Sequence, residues 1–159
     1  MHDHYSGRST VKQNFYKASI LVVEDNPDHW MLIQEALGEC LPEVQTVWVS
    51  TAKEAETYLA DCLADQANLP KLMLLDLYLP DAGPSWTLIQ KIKRPNSPYI
   101  RMPIVVFSYS NSQEDINELY RFGGTSYIVK PSTFDQWLAY FQSMRQYWWE
   151  TVTLPGQNG

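Results

Sequence analysis

The chain has 159 residues, 45% of them hydrophobic and 19% charged, which suits one globular domain with a real core and excludes two full domains or a disordered chain. Its formal net charge of −6 argues against binding to nucleic acid or to an anionic membrane surface. No run of about 18 apolar residues offers a transmembrane helix.

Residues 1–17, "MHDHYSGRSTVKQNFYK", are polar and aperiodic. They read as a flexible N-terminal extension and lack the apolar core of a signal peptide. His2 and His4 flank Asp3 there, and disordered polar residues are the expected reading. "ASILVVED" (18–25) is a continuous apolar run ending in two acids, as expected for a central parallel strand buried on both faces. Asn26 then caps a helix with Pro27 in its first turn. Met31, Ile33 or Gln34 and Leu37 follow at helical spacing, with Gly38 near the stop. His29 is expected to be an exposed helix residue, and Asp28 lies near the acidic pair.

"VQTVWVS" (44–50) predicts a second strand, and "TAKE" (51–54) has the pattern of a capping box. Ala55, Leu59 and Cys62 continue one face of the helix that follows. "PKLMLLDLYLP" predicts the third strand, followed by a helix over about 84–93. "IVVFS" (104–108) predicts the fourth strand. Ser112 caps a fourth helix carrying Ile116, Leu119 and Tyr120, which Gly123–Gly124 ends. "SYIVKP" (126–131) predicts a fifth strand, and the last helix starts near Thr133. Phe134, Trp137, Leu138, Phe141 and Met144 form its core stripe. Tyr140, Tyr147 and Trp149 fall off that stripe and suggest an interface. Cys40 and Cys62 stand in no metal or redox spacing; they read as buried thiols near helix ends in a cytoplasmic protein.

Five apolar strands alternating with five amphipathic helices predict an α/β doubly wound parallel sheet. In such a sheet ligands bind beyond the carboxyl ends of the strands. Strand one ends in Glu24–Asp25, strand three in Asp76, strand four in Ser108 and strand five in Lys130. Three carboxylates brought together repel one another and take up protons unless a cation joins them. Hard oxygen ligands suit Mg²⁺, with Mn²⁺ or Ca²⁺ as substitutes. A carboxylate can attack a phosphoryl group to form an acyl phosphate, and Lys130 and Ser108 supply the cation and hydroxyl that such a group needs.

The stretches "ILVVEDNP", "LMLLDLYLPD", "PIVVFSYS" and "YIVKP" together resemble the receiver domain of two-component response regulators. The resemblance covers about 18–150, leaving 151–159 as a C-terminal tail. It implies a flavodoxin-like (βα)5 fold with strand order 2-1-3-4-5. It implies a protein that accepts a phosphoryl group from a histidine kinase and then changes the surface seen by an unidentified downstream partner. By position, Asp76 resembles the phosphoacceptor. Glu24 and Asp25 resemble the acidic pair at the metal, together with the backbone carbonyl of Tyr78. Ser108 and Tyr127 resemble the hydroxyl and aromatic of the switch, and Lys130 the phosphoryl partner. The Lys130–Pro131 bond is expected to be cis. The stretches "VEDNPDHWMLIQEAL" and "YWWETVTLP" further resemble the small regulators that partner bacterial phytochromes, which implies a phytochrome kinase as donor. A homodimer through helix four, strand five, the last helix and the C-terminal aromatics is expected.

The loop after the acceptor departs from the family pattern: "PDAGP" puts Gly83 and Pro84 where Asp-Gly is frequent. Pro84 lacks an N–H and suits a helix start. Three other readings compete, and the first, a flavin or nucleotide binder, lacks a glycine-rich phosphate loop after strand one, where "EDNPDH" stands. An aspartate-nucleophile phosphatase needs a second acid two residues past the nucleophile, where Tyr78 stands. A receiver-like interaction module that works without phosphate is disfavoured by the complete set of site residues. The expected chemistry is therefore limited to Mg²⁺-dependent self-phosphorylation and slow hydrolysis of the acyl phosphate, which is not that of an enzyme acting on other molecules.

Overall fold

The computed structural model describes residues 14–150. The stretches 1–13, with His2, Asp3 and His4, and 151–159 lie outside the described residues. In chain order the elements are β1 (Ser19–Val23), α1 (Pro27–Cys40), β2 (Gln45–Val49), α2 (Ala52–Ala64), β3 (Leu72–Asp76), α3 (Gly83–Lys93), β4 (Ile104–Ser108), α4 (Gln113–Arg121), β5 (Ser126–Val129) and α5 (Phe134–Met144). A π-helical turn, Arg145–Trp149, continues α5. The five strands form one parallel sheet in the order β2-β1-β3-β4-β5, the doubly wound flavodoxin-like arrangement expected from the sequence. Among the described residues no helix is long and apolar enough to cross a membrane.

The period of two along each strand divides the core into two layers. Ile20, Val22, Leu72, Leu74, Val105 and Phe107 pack against α1 and α5. Leu21, Val23, Met73, Leu75, Ile104 and Val106 pack against α2, α3 and α4. Both faces of the central strands are therefore covered, and continuous apolar runs are their sequence signature.

Side-chain caps start four of the five helices. Asn26 accepts from the N–H groups of Asp28 and His29 at 2.9 and 3.2 Å. Thr51, Ser112 and Thr133 accept from Glu54, Asp115 and Gln136. α3 has no such cap and opens with Gly83–Pro84, so the departure in that loop is a helix start. Gly123, at φ 91°, ends α4 in the left-handed conformation that glycine favours.

Several expectations need correction. Met31 is exposed, and Trp30, Ile33, Leu37 and Cys40 form the buried stripe of α1. Tyr120 points outward, while Leu119 is buried. Trp149 is fully buried in the α1–α5 layer. The π turn is the reason: an i→i+5 bond, from Glu150 N to Arg145 O at 3.0 Å, widens the last turn and rotates Trp149 onto the face of Phe141 and Met144. The cis peptide among the described residues is Leu79–Pro80, and Lys130–Pro131 is trans. The two isomers of an X–Pro bond are close in energy, so local contacts choose between them. At Lys130 the N–H bonds Ser108 O at 2.8 Å, and the side chain reaches the site with a trans bond after it.

Candidate functional site

Register places the polar strand ends. Val23 pairs with Leu75, so Glu24 comes level with Asp76. Asp76 pairs with Phe107, which puts Ser108 one step further. Ser108 pairs with Val129, so Lys130 follows directly. The strand alternation then sorts them by face. Asp76 continues the row of Leu72 and Leu74, and Glu24 that of Ile20 and Val22, both on the α1–α5 side. Lys130 joins them there, its ammonium 5.2 Å from the Phe107 ring centroid. Ser108 and Tyr127 continue the opposite row, toward α4.

The ammonium of Lys130 is the centre of the cluster. Its Nζ lies 2.6 Å from Glu24 Oε1, 3.0 Å from Asp76 Oδ2 and 2.7 Å from His29 Nδ1. Glu24, Asp76 and Lys130 are all buried. A buried carboxylate is tolerated when paired and hydrogen-bonded, and one cation here serves two. Glu24 remains under strain. Burial first, and then the neighbouring Asp76, hold its carboxyl well above the usual range, against the pull of Lys130. Its second oxygen, Oε2, is buried without a hydrogen-bond partner.

Asp76 is fixed from both ends. Tyr78 N–H donates to its Oδ1 at 3.2 Å, and Ser85 Oγ donates to its backbone carbonyl at 3.1 Å. Asp25 is exposed and completes a group of three carboxylates, with Glu24 and Asp76, whose ligand atoms lie within 4.8 Å of one another. Asp25, Asp76, Tyr78, Ser108 and Lys130 line one open cavity of about 660 Å³. Ser108 Oγ accepts from Ser110 N–H at 3.0 Å, and Tyr127 OH donates to Ser110 O at 2.7 Å. Both residues named for the switch thus meet the β4–α4 loop at Ser110.

These residues suit a divalent cation. Three carboxylates face one ammonium, and the orphaned, buried Oε2 of Glu24 is an unused hard oxygen ligand. An added divalent charge would offset the burial and the neighbouring Asp76 that hold the Glu24 carboxyl up.

The structure brings Asp25, Asp76, Tyr78, Ser108 and Lys130 to the lining of one cavity, with Glu24 buried beside Lys130 and grouped with Asp25 and Asp76. Pro131 lies outside that lining. Tyr109 and His29, outside the set of expected site residues, also border it. Tyr109 presents its ring 5.3 Å from Lys130 Nζ. His29, expected to be an exposed helix residue, has Nδ1 2.9 Å from Glu24 Oε1; burial, then the Lys130 charge, hold its pKa below the ordinary value. The available signal was its place in the first turn of the helix that follows the acidic pair. Trp30 stacks on Trp48 with ring centroids 5.2 Å apart, and Trp48 Nε1 donates to Glu24 O at 2.7 Å.

Comparison with known proteins agrees with this geometry. The family model of the response regulator receiver domain matches residues 20–142. The chain is 34% identical over 138 residues to the probable methanogenesis regulatory protein FilR2 of Methanothrix harundinacea, covering 86% of this chain and 87% of that protein. It is 29% identical to the response regulator Rcp1 of Synechocystis, over 86% of this chain and 92% of that one. A crystal structure of Rcp1 in its Mn²⁺-bound form superposes with a TM-score of 0.73, at 28% identity, over 87% of this chain and 99% of that chain. The phosphorylated cyanobacterial phytochrome response regulator RcpA superposes with a TM-score of 0.75, at 34% identity, over 87% and 99%. The chain therefore belongs to the response regulator receiver domain family of two-component signalling, and is related to phytochrome response regulators.

Proposed function

We propose that the protein is a phosphorylation-switched binding module of the cytoplasm, whose unit is residues 18–150 and whose acceptor is Asp76. The observation that carries this reading is the Lys130 ammonium held between the buried carboxylates of Glu24 and Asp76, at the wall of an open cavity. A carboxylate oxygen of Asp76 attacks phosphorus as the bond to the donor's imidazole nitrogen breaks. The product is an acyl phosphate and a neutral histidine on the kinase.

Glu24, Asp25, Asp76 and the Tyr78 carbonyl would hold Mg²⁺, or Mn²⁺ or Ca²⁺ in its place. When bound, the ion neutralises the charge that gathers on the phosphoryl oxygens. Lys130 neutralises the opposite side, and Ser108 donates its hydroxyl. Ser108 then leaves Ser110 N–H, and Tyr127 follows inward. The Tyr127–Ser110 bond links that motion to the face of α4 and β5, where Tyr120 and Val129 are exposed. We assign this face to a second copy of the chain and to a downstream protein. Of the C-terminal aromatics, Tyr147 remains exposed to take part, whereas Trp149 is occupied in the core.

The relationship to Rcp1 and RcpA supports a phytochrome kinase as donor. Phosphotransfer from a phosphorylated phytochrome kinase, and from an unrelated histidine kinase, tests both levels. Rapid labelling of wild type by the first donor only, with none of Asp76→Asn, is expected. Equal labelling of Asp76→Asn would contradict the acceptor. Equal rates from both donors would contradict the phytochrome partner.

A further inference from the structure

The chain leaves the sheet at Glu24, and two groups of β2 hold it there. Glu24 N–H donates to Val49 O at 3.1 Å, as the parallel ladder continues. β2 then ends at Val49 and turns into the Thr51 cap of α2, so the Glu24 carbonyl lies past the strand ladder. Glu24 is buried, and a buried carbonyl without a partner is costly. The Trp48 side chain meets this need, its Nε1–H donating to Glu24 O at 2.7 Å. An indole N–H only donates, so the sense of this bond is fixed.

The register explains how the indole arrives. Trp48 pairs with Val22, so its side chain shares with Val22 the face of the sheet that α1 covers. Trp30 of α1 stacks on it, with ring centroids 5.2 Å apart and planes 12° from parallel. A phenylalanine would also stack there; the N–H is what tryptophan adds. That N–H holds the one peptide that joins two of the three grouped carboxylates, Glu24 and Asp25. The Glu24 carbonyl and the Asp25 N–H lie in one rigid plane. Holding the carbonyl therefore sets the direction in which the chain delivers Asp25.

We propose that Trp48 is a positioning residue for the divalent-ion site: its indole fixes the Glu24–Asp25 peptide, and with it the relative direction of the two carboxylates. The proposal rests on the assignment of these acids to the ion. Trp48 touches neither the ion nor Asp76 in this scheme; it acts through the backbone. With the bond made, the acidic pair is ordered before an ion arrives. Without it, part of the binding free energy goes into ordering Asp25. Trp48 thus governs the affinity for the ion and not the chemistry at Asp76.

The test compares wild type, Trp48→Phe, Trp30→Phe and Asp25→Asn by calorimetric titration with Mg²⁺. The loss of one hydrogen bond that orients metal ligands sets the scale, so Trp48→Phe should bind Mg²⁺ about tenfold more weakly. Trp30→Phe disturbs the stack and keeps the donor, and should stay within about twofold of wild type. Acetyl phosphate labelling across Mg²⁺ concentrations supplies a readout that a merely structural role would not give. The half-saturating Mg²⁺ should rise by the same factor in Trp48→Phe, with the rate at saturation unchanged. In NMR of wild type, the Trp48 indole proton should shift with the Mg²⁺ dependence seen by calorimetry, whereas that of Trp86, packed on Phe122, should not. A Trp48→Phe affinity within about twofold of wild type would overturn the inference alone. So would an equal loss in Trp30→Phe, a lowered rate at saturating Mg²⁺, or an unmoved Trp48 indole signal. A wild type that binds no Mg²⁺, or Asp25→Asn that binds it as tightly, would overturn the ion-site reading and the inference with it.

Discussion

Asp76 stands in an apolar strand where a lone carboxylate would be costly, and its neighbours explain how it is kept. The register of β1 and β3 puts Glu24 beside it, and β5 delivers Lys130 between the two. The arrangement is charge-deficient without a divalent ion, and that deficit is concentrated on Glu24. Replacing Glu24 by Gln removes the repulsion while keeping the shape. The variant should be at least as stable as wild type in EDTA, by up to about 1 kcal/mol. It should also lose most of the stabilisation that Mg²⁺ gives wild type. Thermal melts of both proteins, with and without Mg²⁺, check this, and strong destabilisation in EDTA would refute it. The Trp30–Trp48 stack hangs on the Glu24 carbonyl. Mg²⁺ should therefore change the fluorescence of a variant retaining these two tryptophans. Trp86 packs instead on Phe122 and should respond less.

The strands and helices make their own predictions, clearest at the end of α5. The π turn sends Trp149 inward and leaves Tyr147 outside. Trp149→Ala should cost about 3–5 kcal/mol in chemical denaturation, and Tyr147→Ala no more than about 0.5 kcal/mol. The same turn presents Arg145, which grips Glu43 through two bonds of 2.7 Å. The Arg145 hydrogen bonds hold the Glu43 carboxyl below the usual carboxylate range. A depressed carboxylate contributes stability above its unfolded pKa and loses it as pH falls through the folded value. Glu43→Gln should thus be less stable than wild type at neutral pH. Because both side chains are partly exposed, the gap should be about 0.5–1 kcal/mol. It should close at acid pH, below the folded pKa of Glu43, and a gap independent of pH would exclude the ion pair as its cause. Most elements were legible because strand and helix signals were local: apolar runs for the strands, and Asn26, Thr51, Ser112 and Thr133 for the caps. Trp149 was not, because a helical wheel assumes an α-helical turn throughout. Met31 was misplaced because adjacent apolar residues, here Trp30 and Met31, leave the wheel's phase open.

At the scale of the molecule, one sheet edge gathers what the chemistry needs. Glu24, Asp25, Asp76, Ser108 and Lys130 were legible because a parallel sheet presents all its strand ends on one rim. His29 was not, since no strand carries it and its position depends on how α1 docks over the Lys130 face. The isomer of Lys130–Pro131 was also out of reach, because local contacts decide it. The exposed α4–β5 face predicts an association that responds to phosphorylation. Val129→Asp should leave labelling intact and lower the sedimentation coefficient at tens of micromolar, if two copies meet there. A wild type that remains a monomer in both phosphorylation states would exclude the dimer. The central claim, that Asp76 takes the phosphoryl group, is tested most directly by peptide mass mapping. Wild type and Asp76→Asn are first incubated with a phosphorylated kinase and Mg²⁺. One added phosphoryl group, labile to hydroxylamine and confined to the wild-type peptide spanning Asp76, is the predicted result; label on any other residue, or on Asp76→Asn to the same extent, would contradict it.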